Sequence, residues 1–440
     1  MPSAAVPEQA KQAHDTRDPR QWGWVEPTVW TERMLAALVN GVTGGKWYSL
    51  WDKVCDRRTL EASWQAVARN QGAAGVDGQS VQRFAAQAER YLEELAADLQ
   101  AGRYRPDDVR RTNIPKAGGG QRPLGIPTVK GRIVQGAVKR VLEPIFEWEF
   151  LDLRYGFRPG RGAKDALRVV DRQLKAGNTW VVDADLTSYF DTIPHAPLLE
   201  RVAAHVSDGR VLALIQAYLE QGILDGLQRW TPTQGTPQGA VLSPLLANLY
   251  LHGLDAEMSG QGYCLVRYAD DFVILCATEA EAQAALAQVQ AWTAAQGLTL
   301  HPDKTHLGDC RQAGQGFDFL GYRFEGGRRQ VRQKSFRAIM DKIRAKTDRS
   351  RGISVERIIA ELNPMLRGWF GYFKHARGMV FILLDGFVRR RLRAILRHQH
   401  HLKGRLGHSR EDHRRWPNAF FAERGLFTMT EAHALARQSR

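Results

Sequence analysis

The chain is short of cysteine, short of acid relative to base, and has no long apolar run. Its four cysteines, Cys55, Cys264, Cys276 and Cys310, are scattered over 440 residues and form no Cys-x-x-Cys pair. That spacing argues against a disulfide framework and against a zinc site, and makes a reducing cytoplasm the expected compartment. No stretch approaches the roughly 18 apolar residues that a bilayer-spanning helix needs. Unbroken apolar runs such as Phe272–Ala277 and Met379–Leu384 are far too short, so no membrane partner is expected. Residues 1–20 mix Glu, Lys, Asp and Arg without a hydrophobic core, which reads as a disordered lead-in rather than a signal or an anchor. There is no fixed-period repeat and no low-complexity tract, which sets solenoid folds aside. Acid is the scarcest class relative to its counterpart: 47 Asp and Glu against 62 Lys and Arg, a formal net charge of +15. Such an excess attracts polyanions, nucleic acid before an anionic membrane.

What is present is ordinary for a globular protein of two or three domains, with 43% hydrophobic and 25% charged residues. Residues 31–99 read as mainly helical, interrupted by the turn Gly72–Gly78, and Ala85–Leu99 has apolar residues at helical spacing. Arg110–Pro127 suggests two short strands around Gly118-Gly119-Gly120. Helix returns between Gly131 and Leu151. From Thr179 to Phe324 strand-like and helical segments alternate, as in a mixed sheet with helices against it. After Gly326 the composition shifts, marking a domain boundary. Arg328–Arg351 carries ten Lys or Arg against two acids. An amphipathic run begins near Ser354, which Pro364 is expected to interrupt or kink. Arg389–Arg405 is basic again, with Val388, Leu392, Ile395 and Leu396 at helical spacing. Two dense basic runs point to RNA, while Trp369, Phe370, Tyr372 and Phe373 read mostly as helix-bundle core.

The strongest local signal is Tyr263–Cys276, where two apolar, β-prone runs flank Asp270-Asp271 and predict a hairpin with the pair at its tip. Adjacent carboxylates repel each other and gain little from a bland turn; a divalent cation would neutralise them. Magnesium suits such a place, because it takes few protein oxygens and leaves the rest of its shell to phosphate and water. Upstream, Trp180–Asp191 runs from a strand into a helix-like turn, with Asp185 at the strand end. A strand end facing a hairpin tip lets two metals roughly 3.5–4 Å apart share ligands, the arrangement for phosphoryl transfer to a primer 3′-hydroxyl. An isolated Asp-Asp is usually a solvated turn; the flanking strands and the second Asp-bearing strand favour the catalytic reading. Asp183 and Asp191 read as structural.

Tyr268-Ala269-Asp270-Asp271 resembles the signature tetrapeptide of reverse transcriptases, and Asp185–Asp191 resembles their first catalytic block. The resemblance implies that Asp185, Asp270 and Asp271 are the metal carboxylates, with the Leu186 carbonyl as a further ligand. Phe190 falls at the aromatic gate against a ribose 2′-hydroxyl. Gly235–Tyr250 resembles the block that touches the incoming nucleotide, with Gln238 in it. Lys116 and Arg122, flanking the triple glycine, resemble the finger cations that grip a triphosphate. Phe157–Arg161 resembles a further block, with Arg158 facing template or nucleotide. Gly297–Thr305 resembles the block in which Lys304 supports the active site, and Phe317–Phe324 the one near the primer terminus. Gly75–Gly78, Pro115–Pro127 and Leu362–Phe373 are similar to the group II intron lineage, the last to its maturase, or thumb. The blocks run in order from about Gly72 to Arg405.

The fold expected is α+β: a right-hand polymerase with a mixed-sheet palm and an all-helical thumb. The expected divisions are an N-terminal extension (1–72), fingers (73–178), palm (179–325), thumb or maturase domain (326–405) and a short C-terminal segment (406–440) that resembles a terminal piece of the lineage touching DNA. The implied activity is RNA-directed DNA synthesis from dNTPs with two Mg2+ ions, Mn2+ being a substitute. Intron RNA or an RNA template and a DNA primer or target are the implied partners, and assistance to splicing the implied second role. The alternatives are a non-catalytic splicing factor, which three converging carboxylates disfavour, and a domesticated relative serving repair or defence. The tail after Arg405 has no cysteine, and His408 and His413 have no evident ligand partners, which argues against an endonuclease.

Overall fold

The computed structural model describes residues 22–42, 44–115, 120–402 and 409–438. The expected disordered lead-in, Lys116, Gly118, Gly119 and His408 lie outside them. The chain divides into two compact units, 1–307 and 308–440.

In the first unit the chain contributes β1 (Val109–Pro115), β2 (Gln121–Ile126), β3 (Trp180–Asp185), the hairpin β4 (Ile223–Asp225) and β5 (Gln228–Trp230), and the hairpin β6 (Cys264–Tyr268) and β7 (Asp271–Cys276). One sheet has the order β2-β1-β4-β5. Its β1–β2 hairpin pairs Arg110 with Ile126 through to Pro115 with Gln121, as the Gly/Pro-rich sequence predicted. The other sheet runs β6-β7-β3 and ends on β8 (His306–Asp309), where the chain passes to the second unit.

β7 is central, and its Phe-Val-Ile-Leu-Cys run is buried throughout, the pattern of a strand covered on both faces. Helix Glu279–Ala295 packs on β3 and β7. It opens with a capping box in which Thr278 and Glu281 satisfy each other's backbone N–H groups. Its buried stripe Ala282, Ala285, Val289 and Thr293 is small enough to lie close on the sheet. Helices Ala163–Lys175 and Ser243–Gly260 pack on β6. Helix Val129–Glu149 matches the expected segment; with Ile133, Val134, Ala137, Val138, Val141, Leu142 and Phe146 fully buried, it is the spine of the unit's core.

The second unit starts earlier than the composition shift suggested. It contains β9 (Phe317–Phe319), β10 (Tyr322–Glu325) and β11 (Arg328–Val331), ordered β11-β10-β9, so a small sheet accompanies the expected helices. Aromatic contacts tie this sheet to helix Val355–Phe373: Tyr322 donates its hydroxyl to the Tyr372 carbonyl at 2.7 Å, and Tyr372 returns one to the Leu320 carbonyl at 2.8 Å. The Tyr322 and Phe373 rings lie 5.0 Å apart. Gly326 and Gly327, both at positive φ, turn β10 into β11; this glycine pair is a local hairpin signal that the surrounding basic residues obscured.

Two further expectations are corrected. Of the two effects expected of Pro364, interruption does not occur: helix Val355–Phe373 runs through it. A proline inside a helix costs about 3 kcal/mol, and burial of Ile358, Ile359, Leu362, Leu366 and Phe370 on one face offsets it. The basic run beginning at Arg389 is only partly outward-facing, because Arg393 and Arg397 are buried. Arg393 donates to the Trp416 carbonyl at 2.9 Å, and Arg397 meets the buried Asp412 at 2.7 Å. Arg391 donates to the Thr347 carbonyl at 2.7 Å, closing the end of helix Gln333–Lys346. The aromatic residues do form core: Phe370 and Phe373 are buried, and Trp369 packs against the same cluster.

Candidate active site

The register of the central sheet brings the carboxylates together. β3 pairs antiparallel with β7 so that Asp185 stands opposite Asp271. Directly opposed residues place their Cβ atoms about 4.5–5.5 Å apart. β6 and β7 pair up to Tyr268 and Asp271, leaving Ala269-Asp270 as a two-residue hairpin turn. Ala269 takes φ +61°, a left-handed conformation usually given to glycine in such turns.

The support that holds this turn escaped the sequence reading. Arg267, fully buried on β6, donates from Nη1 to the Ala269 carbonyl at 2.7 Å and to Asn248 Oδ1 at 3.1 Å. Its other face forms a fork on the buried Asp255, with distances of 2.8 and 2.5 Å. Asn248 passes the contact on, its Nδ2 donating to the Gly156 carbonyl at 2.9 Å. Arg154 completes the cluster, 3.3 Å from Asp255 and donating to the Asn248 carbonyl at 2.6 Å. Gly156 lies flat against the turn: a Cβ there would meet the Ala269 nitrogen and stand 2.9 Å from the Tyr268 carbonyl carbon. Burial alone would raise the Asp255 carboxyl, but the charges of Arg267 and Arg154 and the Arg267 hydrogen bonds hold it below the usual aspartate value. The available signal was one arginine inside the apolar run Leu265-Val266-Arg267-Tyr268, since a charge buried in a strand demands a partner.

On the open side, Lys304 Nζ donates to Asp185 Oδ2 at 2.6 Å, with Lys304 59% and Asp185 32% exposed. The segment carrying Lys304 is fastened to the end of β3: His301 N donates to the Asp185 carbonyl at 2.7 Å, and Thr187 N to the Thr299 carbonyl at 2.8 Å. Leu186 is buried there, in a bridge with Leu300. Burial raises the Asp270 carboxyl and the charge of Asp185 raises it further, while Arg122 and Arg267 act in the opposite sense; the net direction is upward. Among the described residues no three His, Cys, Asp or Glu close into a preformed ligand cluster. The donor set nevertheless fits a divalent cation, since hard carboxylate oxygens converge at one end of the sheet and the charge of Asp185 raises the proton affinity of Asp270.

The nucleotide-binding candidates also converge. Arg122 Nε donates to Gln238 Oε1 at 2.7 Å, and Gln238 Nε2 to Asp191 Oδ2 at 3.3 Å. Gly125 N donates to the Gln238 carbonyl at 2.7 Å, and Thr236 N to the Phe190 carbonyl at 2.6 Å. The Gly235–Gly239 loop is thereby wedged between β2 and the Phe190 turn. Gly235 and Gly239 have positive φ, and a Cβ on either would lie within 2.7 Å of backbone oxygen. Phe190 is 8% exposed, its ring against Tyr189. A cavity of about 330 Å³ opens beside the loop, with Arg111, Gly125, Asp191, Trp230 and Gln238 in its wall. Asp191, read as structural, is thus part of this polar chain. Lys116 lies outside the described residues. Arg158 does not face a template: it is buried, paired with Glu147 at 2.6 Å, and donates to the Leu151 carbonyl at 2.5 Å.

Opposed aspartates at one end of a helix-backed sheet, near a glycine-rich loop, form an arrangement that suits a nucleic-acid polymerase. Comparison with known proteins agrees: residues 114–324 match the family model described as reverse transcriptase (RNA-dependent DNA polymerase), and residues 336–416 match the group II intron, maturase-specific domain. Protein YkfC of Escherichia coli (strain K12) is 33% identical over 344 residues, covering 69% of this chain and 85% of that protein. The group II intron-encoded protein LtrA of Lactococcus lactis subsp. cremoris is 40% identical over 168 residues, 38% of this chain and 28% of LtrA. Nuclear intron maturase 4, mitochondrial, of Arabidopsis thaliana is 29% identical over 135 residues, 30% of this chain and 17% of that protein. The chain belongs to the group II intron-encoded reverse transcriptase/maturase family. Membership carries with it RNA-directed DNA polymerase activity, a general dependence on divalent metal, and nucleic acid as the partner.

Proposed function

We propose that Asp185, Asp270 and Asp271 are the catalytic carboxylates of this polymerase, joining dNTPs to a primer 3′-hydroxyl on an RNA template. The observation that carries this is the register of the sheet, which sets Asp185 opposite Asp271 with Asp270 next to it in the turn. Two magnesium ions held by these carboxylates and the Leu186 carbonyl, with manganese as a substitute, would supply the charge that favours the attacking alkoxide and the departing pyrophosphate. The protein's own contribution is placement. Arg267 and Gly156 keep the hairpin tip in one conformation, and Lys304 orients Asp185. Arg122, together with Lys116, binds the triphosphate and offsets its charge. Gln238, oriented by Arg122 and Asp191, offers a donor and an acceptor to the incoming nucleotide. Phe190 forms an apolar floor that favours dNTP over rNTP by leaving no room for a 2′-hydroxyl.

The second unit serves as thumb and as maturase surface, with intron RNA as its partner and a DNA primer or target engaged during synthesis, in a reducing cytoplasm that suits four unpaired cysteines. Primer extension on an RNA template with dNTPs and magnesium tests the proposal. Extension by the wild type that disappears in Asp270→Ala/Asp271→Ala supports it. A folded, RNA-binding wild type that extends nothing would leave the splicing-factor alternative in its place.

A further inference from the structure

Phe157 is half exposed in a chain that buries most of its phenylalanines, and its backbone conformation is one that its side chain disfavours. At φ +58° it lies in the left-handed region, which strains a bulky L residue and is ordinarily left to glycine or asparagine. A glycine is present, but one residue earlier, where close packing demands it. Residues 153–156 run alongside β6 in parallel. Arg154 bridges Arg267, Tyr155 N donates to the Arg267 carbonyl at 2.9 Å, and Arg267 N donates to the Leu153 carbonyl at 3.1 Å. Gly156 therefore arrives flat against Tyr268-Ala269, where a Cβ would meet the Ala269 nitrogen. Phe157 is the next residue, so this register places it at the level of the turn that carries Asp270.

Both neighbours of Phe157 are fixed. Asn248 Nδ2 donates to the Gly156 carbonyl at 2.9 Å. Arg158 is buried, pairs with Glu147 at 2.6 Å, and donates to the Leu151 and Arg154 carbonyls at 2.5 and 3.1 Å. These anchors hold the strained conformation between them and leave the Phe157 ring at the surface. A packing role accounts for neither feature. A ring that serves the core is buried, and a turn of this shape is better served by glycine or asparagine at its positive-φ position. Ser188 and Ala269, two further non-glycine residues with positive φ, lie three positions after Asp185 and next to Asp270. Strain of this kind, over-determined by the surrounding contacts, collects where a site needs a group held in one place. Beside a polymerase's carboxylates, a half-exposed ring offers a flat apolar face, and a nucleobase has the matching one.

We propose that Phe157 is a substrate-contact residue whose ring packs on a nucleobase at the growing end of the primer–template duplex, either the terminal primer base or the template base paired with it. The inference rests on the assignment of Asp185, Asp270 and Asp271 as the catalytic carboxylates, which is what brings that end of the duplex to the hairpin. Fluorescence anisotropy with a labelled DNA primer annealed to an RNA template measures affinity, and thermal melts measure folding. Phe157→Asn, which suits φ +58°, is expected to melt no lower than the wild type and yet to bind the duplex about tenfold more weakly. Phe157→Gly should show the same loss of affinity, which rules out a new contact made by asparagine. Phe157→Tyr keeps the ring and should stay within about twofold of the wild type. Repeating the titrations with an abasic residue at the primer terminus, and then at the template position opposite it, identifies the base. The gap between wild type and Phe157→Asn closes on the probe that lacks the stacked base. A gap that survives both abasic probes, an asparagine variant that binds as the wild type does, or one that melts well below it overturns the proposal. A wild type that binds the duplex without extending it would sink the catalytic assignment and leave these binding comparisons readable.

Discussion

Two ion pairs flank the hairpin that carries Asp270 and Asp271, and their lengths are nearly the same. Arg267 and Asp255 lie 2.5 Å apart with both side chains almost wholly buried. Lys304 and Asp185 lie 2.6 Å apart, but the lysine is more than half exposed. Distance therefore says little about what either pair does. Behind the hairpin, two charges removed from water are tolerable only because Arg267 spends every face of its guanidinium on Asp255, Asn248 and the Ala269 carbonyl. In front, water screens the pair, so it adds little to stability and can be exchanged when a stronger cation or a phosphate arrives. One pair is scaffold and the other is adjustable.

The contrast can be broken most severely from behind. Arg267→Met leaves Asp255 with only Arg154 and removes a donor from the strained turn. We expect a loss of about 3–5 kcal/mol in urea denaturation, with no measurable primer extension. A double change, Arg267→Met/Asp255→Leu, should recover a large part of that stability, because no unpaired charge remains buried. It should not recover extension, since the Ala269 carbonyl still lacks its donor. Full recovery of activity would show that the cluster serves stability alone.

Gly156→Ala comes next. The added methyl meets the backbone of Tyr268 and Ala269, so we expect about 1–3 kcal/mol of destabilisation and a turnover defect larger than the change in dNTP affinity. Acid stability gives a third test. The Asp255 carboxyl lies below its ordinary value of 3.8 in the folded protein, so its contribution is fully present above that pH and is lost as pH falls through the lower folded value. Melting temperature measured against pH should therefore fall less steeply below 3.8 in the double variant than in the wild type. The smallest stability effect belongs to Lys304→Gln, under about 1 kcal/mol. Its expected signature lies elsewhere, in lower turnover together with a lower magnesium concentration for half-maximal extension, because a competing cation has been removed.

Much of the site was legible in local sequence. The strands around Asp185, Asp270 and Asp271 announce themselves by short apolar runs, and a hairpin tip follows from two such runs meeting at a polar pair. The Gly235–Gly239 loop and the β1–β2 hairpin were legible for the same reason, since glycine and proline act on the backbone where they stand. Arg158 was misplaced because a motif does not report depth: the same arginine suits a template or a buried Glu147. The basic residues Arg393 and Arg397 were misplaced in the same way, their partners lying in a tail whose docking no local pattern reveals.

By itself, then, the sequence determined most of the elements around the candidate site, which carboxylates stand at their ends, and that the partner is a polyanion. Those properties depend on side-chain periodicity, backbone freedom and net charge, all of which act over a few residues or over the whole chain at once. The tertiary structure alone decided that Arg267 clamps the turn, that Gly156 must lack a side chain and that the division falls at 307. Each depends on groups far apart in the chain meeting where water is excluded or charge is concentrated, and only packing can bring them there.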